Sequence, residues 1–412
     1  DVPEYDGWEP DYEAMAGVVS DPEHVFPAQT ILREVRPLGF SDNILYFFPR
    51  SCGRITPLTA PALANRQNLE MLADWTLWET NFEGDLAEKK ITAAAASLLI
   101  RACKMEGIYN PDTERGVGVW MDGDEPILNA GDMIYFRDGQ CITSDYKSKN
   151  VYVMDSSIGK LSDEPMGNAD ASEILKICLS LSWKGKHSGY MLAGWIVTAL
   201  IGGALRWRSH VFLTGEKGSG KSWVLESIVR PLLGGLGLSL DGTTEARLRR
   251  DLGGNSRPIV MDESEGETKK DRLLMEQVLM LARKSSSGAT IANAIGRYVM
   301  RSSFCFAAIN PRIVQGADKD RNTLMQLSVN RGPTARDDFK ALNAITEKSA
   351  SALLARCLHN LPVILKNIET FSDVLAEQEG SKRFGDQHGT LIAGAFSLTS
   401  TKEISREDAA EW

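Results

Sequence analysis

Histidine is scarce in this chain, five in 412 residues, and the six cysteines (Cys52, Cys103, Cys141, Cys178, Cys305, Cys357) are scattered with no C-x-x-C pair. That spacing excludes the zinc ribbon and finger patterns and reads as a reduced, intracellular protein. Positive charge is also in deficit: 46 Lys and Arg against 55 Asp and Glu leave a net charge of -9. A chain coated in basic residues is excluded, so any nucleic acid would be gripped by a local patch and not by the overall field. Long apolar runs are nearly absent. Only Ser188 to Leu205, "SGYMLAGWIVTALIGGAL", is uncharged over 18 residues, and it carries Gly202-Gly203 in its interior. It is the minimum length for a membrane span and runs within a few residues into an apolar strand, so a buried helix is expected there. No signal peptide is recognised at the start, where the first residue is Asp1 and not Met, as in a piece of a longer protein. There is no internal repeat or low-complexity tract. Outside the motifs that follow there is no paired-carboxylate site, metal cluster or nucleophile constellation. What is present is ordinary for a globular chain, 43% hydrophobic and 25% charged residues, with length enough for two or three domains.

Residues 1–165 read as a separate mixed α+β domain. Its strands are expected at "ILYFF" (Ile44 to Phe48), "DMIYF" (Asp132 to Phe136) and "NVYVM" (Asn150 to Met154). Helices are expected at Lys89 to Met105 and around Asn68 to Glu79. The polar stretch Asp155 to Asp170 marks the boundary. Beyond it, helices alternate with fully apolar strands, the pattern of a parallel sheet covered on both faces. The strands are "HVFLTG" (His210 to Gly215), "RPIVMDE" (Arg257 to Glu263), "SFCFAAIN" (Ser303 to Asn310) and "TLMQLSV" (Thr323 to Val329). After Pro333 the pattern is helical, including Ser351 to Phe371. The expected division is thus 1–165, a core at 166–335 and a helical region at 336–412.

The motif that carries chemistry is "FLTGEKGSGKSWVLESI". Gly215, Glu216, Lys217, Gly218, Ser219, Gly220, Lys221 and Ser222 fit the phosphate loop G-x-x-x-x-G-K-[ST], with a strand before it and a helix after it. The glycines let successive backbone N–H groups converge on phosphates at a helix N-terminus. Lys221 would reach the terminal phosphates of ATP, and Ser222 would ligate Mg2+. A second magnesium-side group is needed on a neighbouring strand, and "PIVMDE" supplies Asp262 for the metal and Glu263 as the base for the attacking water. Asn310, the polar end of an apolar strand, is placed to orient that water. Arg321, just before the next strand, is suited to reach a neighbour's nucleotide in trans, with Arg312 as the competing candidate. Thr243 to Arg250 clusters Arg247, Arg249 and Arg250, which would face DNA, the next subunit or solvent. Trp207, Trp223 and His388 read as structural.

In this order the motifs resemble AAA+ ATPases, in particular the superfamily 3 and phage or mobile-element primase-helicase group. The similarity runs from roughly Tyr190 to Phe396, through "TTEARLRRDLGGNSRPIVMDESEG", "LARKSSSGATIANA", "ADKDRNTLMQL" and "KRFGDQHGTLIAGAF". It implies an α/β fold, an AAA+ P-loop NTPase core whose parallel sheet is flanked by helices, between an N-terminal mixed α+β collar or DNA-entry domain and a C-terminal helical lid-like region. It also implies a homo-hexameric ring with ATP sites between subunits and single-stranded or forked DNA drawn through the centre, in the cytoplasm of a bacterial host. Asn310 becomes the sensor and Arg321 the trans finger. A hairpin ahead of the Asn310 strand would enter the pore. Here it is "SSSGATIANAIGRYVMRSS", with its tip at Asn293 to Gly296. The family's basic tip is replaced by Asn-Ala-Ile, so DNA contact would fall to Lys284, Asn293, Arg297 and Arg301 or to backbone amides. No acidic polymerase triad or zinc ribbon is evident, so a primase domain, if the parent has one, would lie upstream. The expectation is an ATP-dependent DNA helicase or translocase of a phage or mobile element. The alternatives are a non-unwinding AAA+ initiator or helicase loader and, from another class, a nucleotide-dependent binding module.

Overall fold

In a computed structural model the structure describes residues 25–82, 87–239, 252–262, 269–293, 296–309, 321–329 and 347–412. The described residues up to Arg115, with Gly131–Ile134 and Gly139–Ser156, form one unit. There α1 (Val25–Glu34) runs directly into β1 (Val35–Ser41), which pairs antiparallel with β2 (Ile44–Pro49), itself paired with β3 (Thr56–Thr59). The helix expected near Asn68 to Glu79 is two helices, α2 (Arg66–Leu72) and α3 (Trp75–Asn81). The Asn65 side chain accepts from the Gln67 N–H and that of Asp74 from the Thr76 N–H, so each helix starts at its own cap. In α4 (Glu88–Glu106) Ile91, Ala95, Leu99 and Ala102 recur at helical spacing and are buried with Phe47, Leu69 and Trp78.

The second unit comprises Gly116–Ala130, Tyr135–Asp138 and Ser157–Trp412. It opens with a hairpin, β4 (Gly118–Asp122) against β5 (Glu125–Asn129), in which Trp120 pairs with Ile127 and both are buried. Next come α5 (Asn168–Ser180) and α6 (Ser188–Leu200). The apolar segment is therefore a 13-residue helix, buried at every position but Tyr190. Among the described residues no helix is long and apolar enough to cross a membrane. The sheet strands are β6 (His210–Gly215), β7 (Leu238–Ser239), β8 (Ile259–Met261), β11 (Phe304–Ala308) and β12 (Asn322–Leu327). All five are parallel, in the order β7-β8-β11-β6-β12. After β6 the chain makes one helical run, α7 (Lys221–Val224), a π-helical turn (Leu225–Val229) and α8 (Arg230–Leu233). Between β8 and β11 lie α9 (Lys269–Ser287) and a second hairpin, β9 (Thr290–Asn293) against β10 (Gly296–Val299).

Both faces of the sheet are covered, which is why its strands are apolar at successive positions. Val211, Leu213, Cys305, Ala307, Met325 and Leu327 pack with α6 and the α7–α8 run. Phe212, Ile259, Met261, Phe304 and Phe306 pack with Val278, Leu281 and Ala282 of α9. The C-terminal helices are α10 (Glu347–His359), α11 (Leu361–Glu379), α12 (Lys382–Ser397) and α13 (Arg406–Glu411). The stretch Ser351 to Phe371, expected to be helical, is divided at Asn360 between α10 and α11, with Pro362 in the first turn of α11. α12 crosses α6 with backbones in contact: a Cβ on Gly194 would lie 1.7 Å from the Leu391 carbonyl oxygen.

Candidate nucleotide site

β6 is interior to the sheet, and its C-terminal end delivers Gly215 to the edge where open parallel sheets bind ligands. The loop then turns on itself, with the Ser219 N–H donating to the Glu216 oxygen at 3.1 Å. Gly218 and Gly220 have φ of +81° and +91°, which favour glycine, and a Cβ at either would meet nothing within 4 Å. Open space above two left-handed glycines is a cradle lined by backbone. The helix begins beneath it, with the Val224 N–H bonded to the Gly220 oxygen at 2.9 Å, so the first N–H groups of α7 face the cradle without intrahelical partners. Lys221 folds across the loop, its Nζ donating to the carbonyl oxygens of Gly215 at 2.7 Å and Glu216 at 3.3 Å. The Ser219 Oγ is buried with no hydrogen-bond partner. A cationic Nζ, a buried hydroxyl and a backbone cradle fit a polyphosphate.

Asp262 directly follows β8 at the same edge, half-buried. β11 lies between β8 and β6, with Met261 opposite Phe306 and Thr214 opposite Ala308. Asp262 is thus two strand spacings, about 10 Å, from the phosphate-loop strand. Burial, and then the Asp262 charge, push the Cys305 thiol up to about 12. Glu263, Asn310 and Arg312 lie outside the described residues, as do Thr243 to Arg250.

Arg321 lies at the other end of the sheet. It precedes β12, and its carbonyl oxygen accepts the His210 N–H at 3.2 Å, at the foot of β6. Six residues of strand separate it from Gly215, about 20 Å, so it does not reach the phosphate loop of its own chain. Its guanidinium lies over the Trp207 ring, 5.6 Å from the centroid. The β9–β10 hairpin rises from this same end, because α9, on which its first strand follows, packs its last turn against His210. Asn293 pairs with Gly296 and Arg297 with Ala292 in that hairpin; the tip residues 294 and 295 and the side chains of Asn293 and Arg297 lie outside the description. Lys284 sits in the last turn of α9. Arg301 stands at the hairpin's exit, its guanidinium 5.5 Å from the Trp120 ring centroid.

Several residues that sequence reasoning passed over organise these parts. Ser182 accepts the Ser328 N–H at 2.7 Å and Gln326 accepts the Lys184 N–H at 2.8 Å, so a strap from residues 182–184 covers the end of the edge strand β12. His210 and Gln387 are buried polar residues at the foot of β6. The available signal was a polar residue at the head of a fully apolar strand and a glutamine inside a helix of small residues.

No family model matches the chain, and no curated protein matches it. Among solved structures it is similar to the SCCmec type IV Cch active helicase, at 14% identity over 92% of this chain and 72% of that one, with a TM-score of 0.50. A full-length MCM homologue from Methanopyrus kandleri matches at 13% identity over 81% of this chain and 88% of that one, with a TM-score of 0.36, too low to bear on the fold. With the sheet order and loop geometry, the first likeness identifies the fold as a mixed α/β one, an AAA+ P-loop NTPase core with a helical C-terminus.

Proposed function

We propose that this chain is an ATP-dependent DNA helicase or translocase, working as a homo-hexameric ring in the replication of a phage or mobile genetic element. The observation that carries the reading is the separation of the loop and Asp262 at one end of the sheet from Arg321 at the other. A catalytic arginine about 20 Å from its own phosphate loop can act only on a neighbour's nucleotide, which calls for an assembly with shared sites. In that assembly the loop from Gly215 to Lys221 would hold the phosphates, and Ser222 with Asp262 would hold Mg2+. Glu263 would take a proton from the attacking water, which Asn310 orients, and Arg321 of the next subunit would stabilise transition-state charge. Bound Mg2+ supplies charge neutralisation on the phosphate oxygens. The hairpin at the sheet's opposite end, with Lys284, Asn293, Arg297 and Arg301, is the proposed DNA-facing element, and residues 1–165 the collar. The similarity to an active helicase supports this reading through fold.

The charge-poor hairpin tip, Asn-Ala-Ile, favours as second reading a helicase loader or initiator that remodels without unwinding. A forked-duplex assay separates the two. The helicase reading expects ATP-dependent strand separation by wild type and none by Glu263→Gln, which should still assemble. DNA-stimulated ATP hydrolysis by wild type with no strand separation would overturn it in favour of the loader. A primase domain or other replication partner and a cytoplasmic location in a bacterial host belong to the same proposal.

A further inference from the structure

Arg321 is held at its end of the sheet by more than its backbone. Its guanidinium rests on the face of Trp207, 5.6 Å from the ring centroid, within the range of cation–π attraction. Trp207 is in turn oriented: its indole Nε1 donates to Gln387 Oε1 at 3.1 Å. Gln387 is 1% exposed and leaves no choice of orientation, because its Nε2 donates to the His210 carbonyl oxygen at 3.1 Å and to Thr323 Oγ1 at 3.1 Å. The Ser209 Oγ bonds the Gln387 carbonyl at 2.7 Å. One amide therefore joins α12, the foot of the phosphate-loop strand β6 and the start of β12, two residues after Arg321, and aims the indole on which Arg321 lies. A flexible arginine acting across a subunit boundary gains most from such pre-ordering, since a misplaced charge contributes little to a transition state.

We propose that Trp207, oriented by Gln387, is a positioning residue that holds the Arg321 guanidinium ready for the nucleotide of the next subunit. The proposal rests on the reading of the chain as a ring ATPase with Arg321 acting in trans. Trp207 stands at the far end of the sheet from its own phosphate loop. Its loss therefore lowers turnover in the neighbouring site without weakening ATP binding in its own.

The test uses full-length chains and steady-state ATP hydrolysis. Trp207→Ala is expected to lower kcat about tenfold and Trp207→Phe, which keeps a ring face but loses the Gln387 bond, about threefold. The KM for ATP should stay within about twofold of wild type in both, because the binding half of the site is intact. Equal amounts of Trp207→Ala and Lys221→Ala subunits should hydrolyse ATP faster than the sum of the two alone. In the mixture a site with an intact loop receives an intact Arg321 from its neighbour. A structural defect in Trp207→Ala would give no such recovery, and that result overturns the proposal. So does an unchanged kcat in Trp207→Phe, which decides the matter alone should the alanine variant not fold. If Arg321→Ala keeps the wild-type kcat, it is the trans-arginine reading itself that fails, and this proposal with it.

Discussion

At the scale of single residues, burial and partner choice decide which groups carry charge. The His210 ring is fully buried at the foot of β6. Its Nδ1 accepts the Phe304 N–H at 3.1 Å, so the proton sits on Nε2, which faces the Ala282 oxygen at 2.6 Å and Ser286 Oγ at 2.9 Å. Burial, opposed by the Ala282 bond and aided by the Arg208 and Arg321 charges, pushes its pKa down to about 3 from 6.5. Between those values the unfolded chain binds the proton and the folded chain does not, so stability is lost as pH falls from 6.5 towards 3. The loss is at most ~1.4 kcal/mol per pH unit from this group. His210→Asn, whose Oδ1 can still accept the Phe304 N–H, should be less stable than wild type at pH 7.5 by about 2 kcal/mol, because the Nε2 partner of the Ala282 oxygen and Ser286 Oγ is gone. That gap should shrink at pH 5, as urea titrations at the two pH values would register. Lys221 is the opposite kind of residue. Among the described residues its Nζ bonds only its own loop, through carbonyls of Gly215 and Glu216, so Lys221→Ala should abolish ATP binding by calorimetry while shifting Tm by no more than about 2 °C.

Among elements, close approach sets the design. The α6–α12 crossing exists because Gly194 and Gly394 face each other: a Cβ on Gly394 would lie 2.5 Å from the Gly194 oxygen, as that on Gly194 would from Leu391 at 1.7 Å. The obstructing atoms are backbone and cannot swing aside, so Gly194→Ala should cost about 3 kcal/mol, read as a lower urea midpoint with an unchanged slope. Helix ends are tied by buried arginines. Arg208 donates from Nε to the Ser285 oxygen at 2.6 Å and from Nη1 to the Gly202 oxygen at 3.0 Å, joining the ends of α9 and the stretch after α6. Arg356 in α10 joins Ser397 of α12 at 2.8 Å and Met166, before α5, at 2.9 Å. Carbonyls at helix C-termini lack intrahelical donors, and a cation there is stabilised by the helix dipole.

For the whole molecule, the assignment of chain to unit has a practical consequence. The β4–β5 hairpin belongs to the unit that carries the phosphate loop, and its lead-in is bonded to that unit's own residues. The Val117 N–H donates to Asn255 Oδ1 at 2.7 Å, and the Ser256 N–H to the Val117 oxygen at 2.8 Å. A fragment of residues 157–412 should therefore lack a cooperative melting transition, whereas residues 116–412 should show one by calorimetry. Equal melting of both fragments would count against the hairpin as part of that core.

The contiguous features were legible in the sequence. "HVFLTGEKGSGKS" names its strand, loop and helix start because each depends on neighbours within a few residues: apolar runs bury, glycines take positive φ, and the lysine folds onto its own loop. Four strands of the parallel sheet followed from the same local logic, while the fifth, β7, is two residues long and too short to stand out as an apolar run. The caps at Asn65 and Asp74 were less legible, since a continuous apolar periodicity outweighs a single capping side chain on paper but not in the chain. The polar couplings at the foot of β6 were not legible at all. His210 and Gln387 are 177 residues apart, as Val117 and Asn255 are 138 apart. Such bonds form only where burial removes water and leaves each polar atom one partner, so only the tertiary structure decided them.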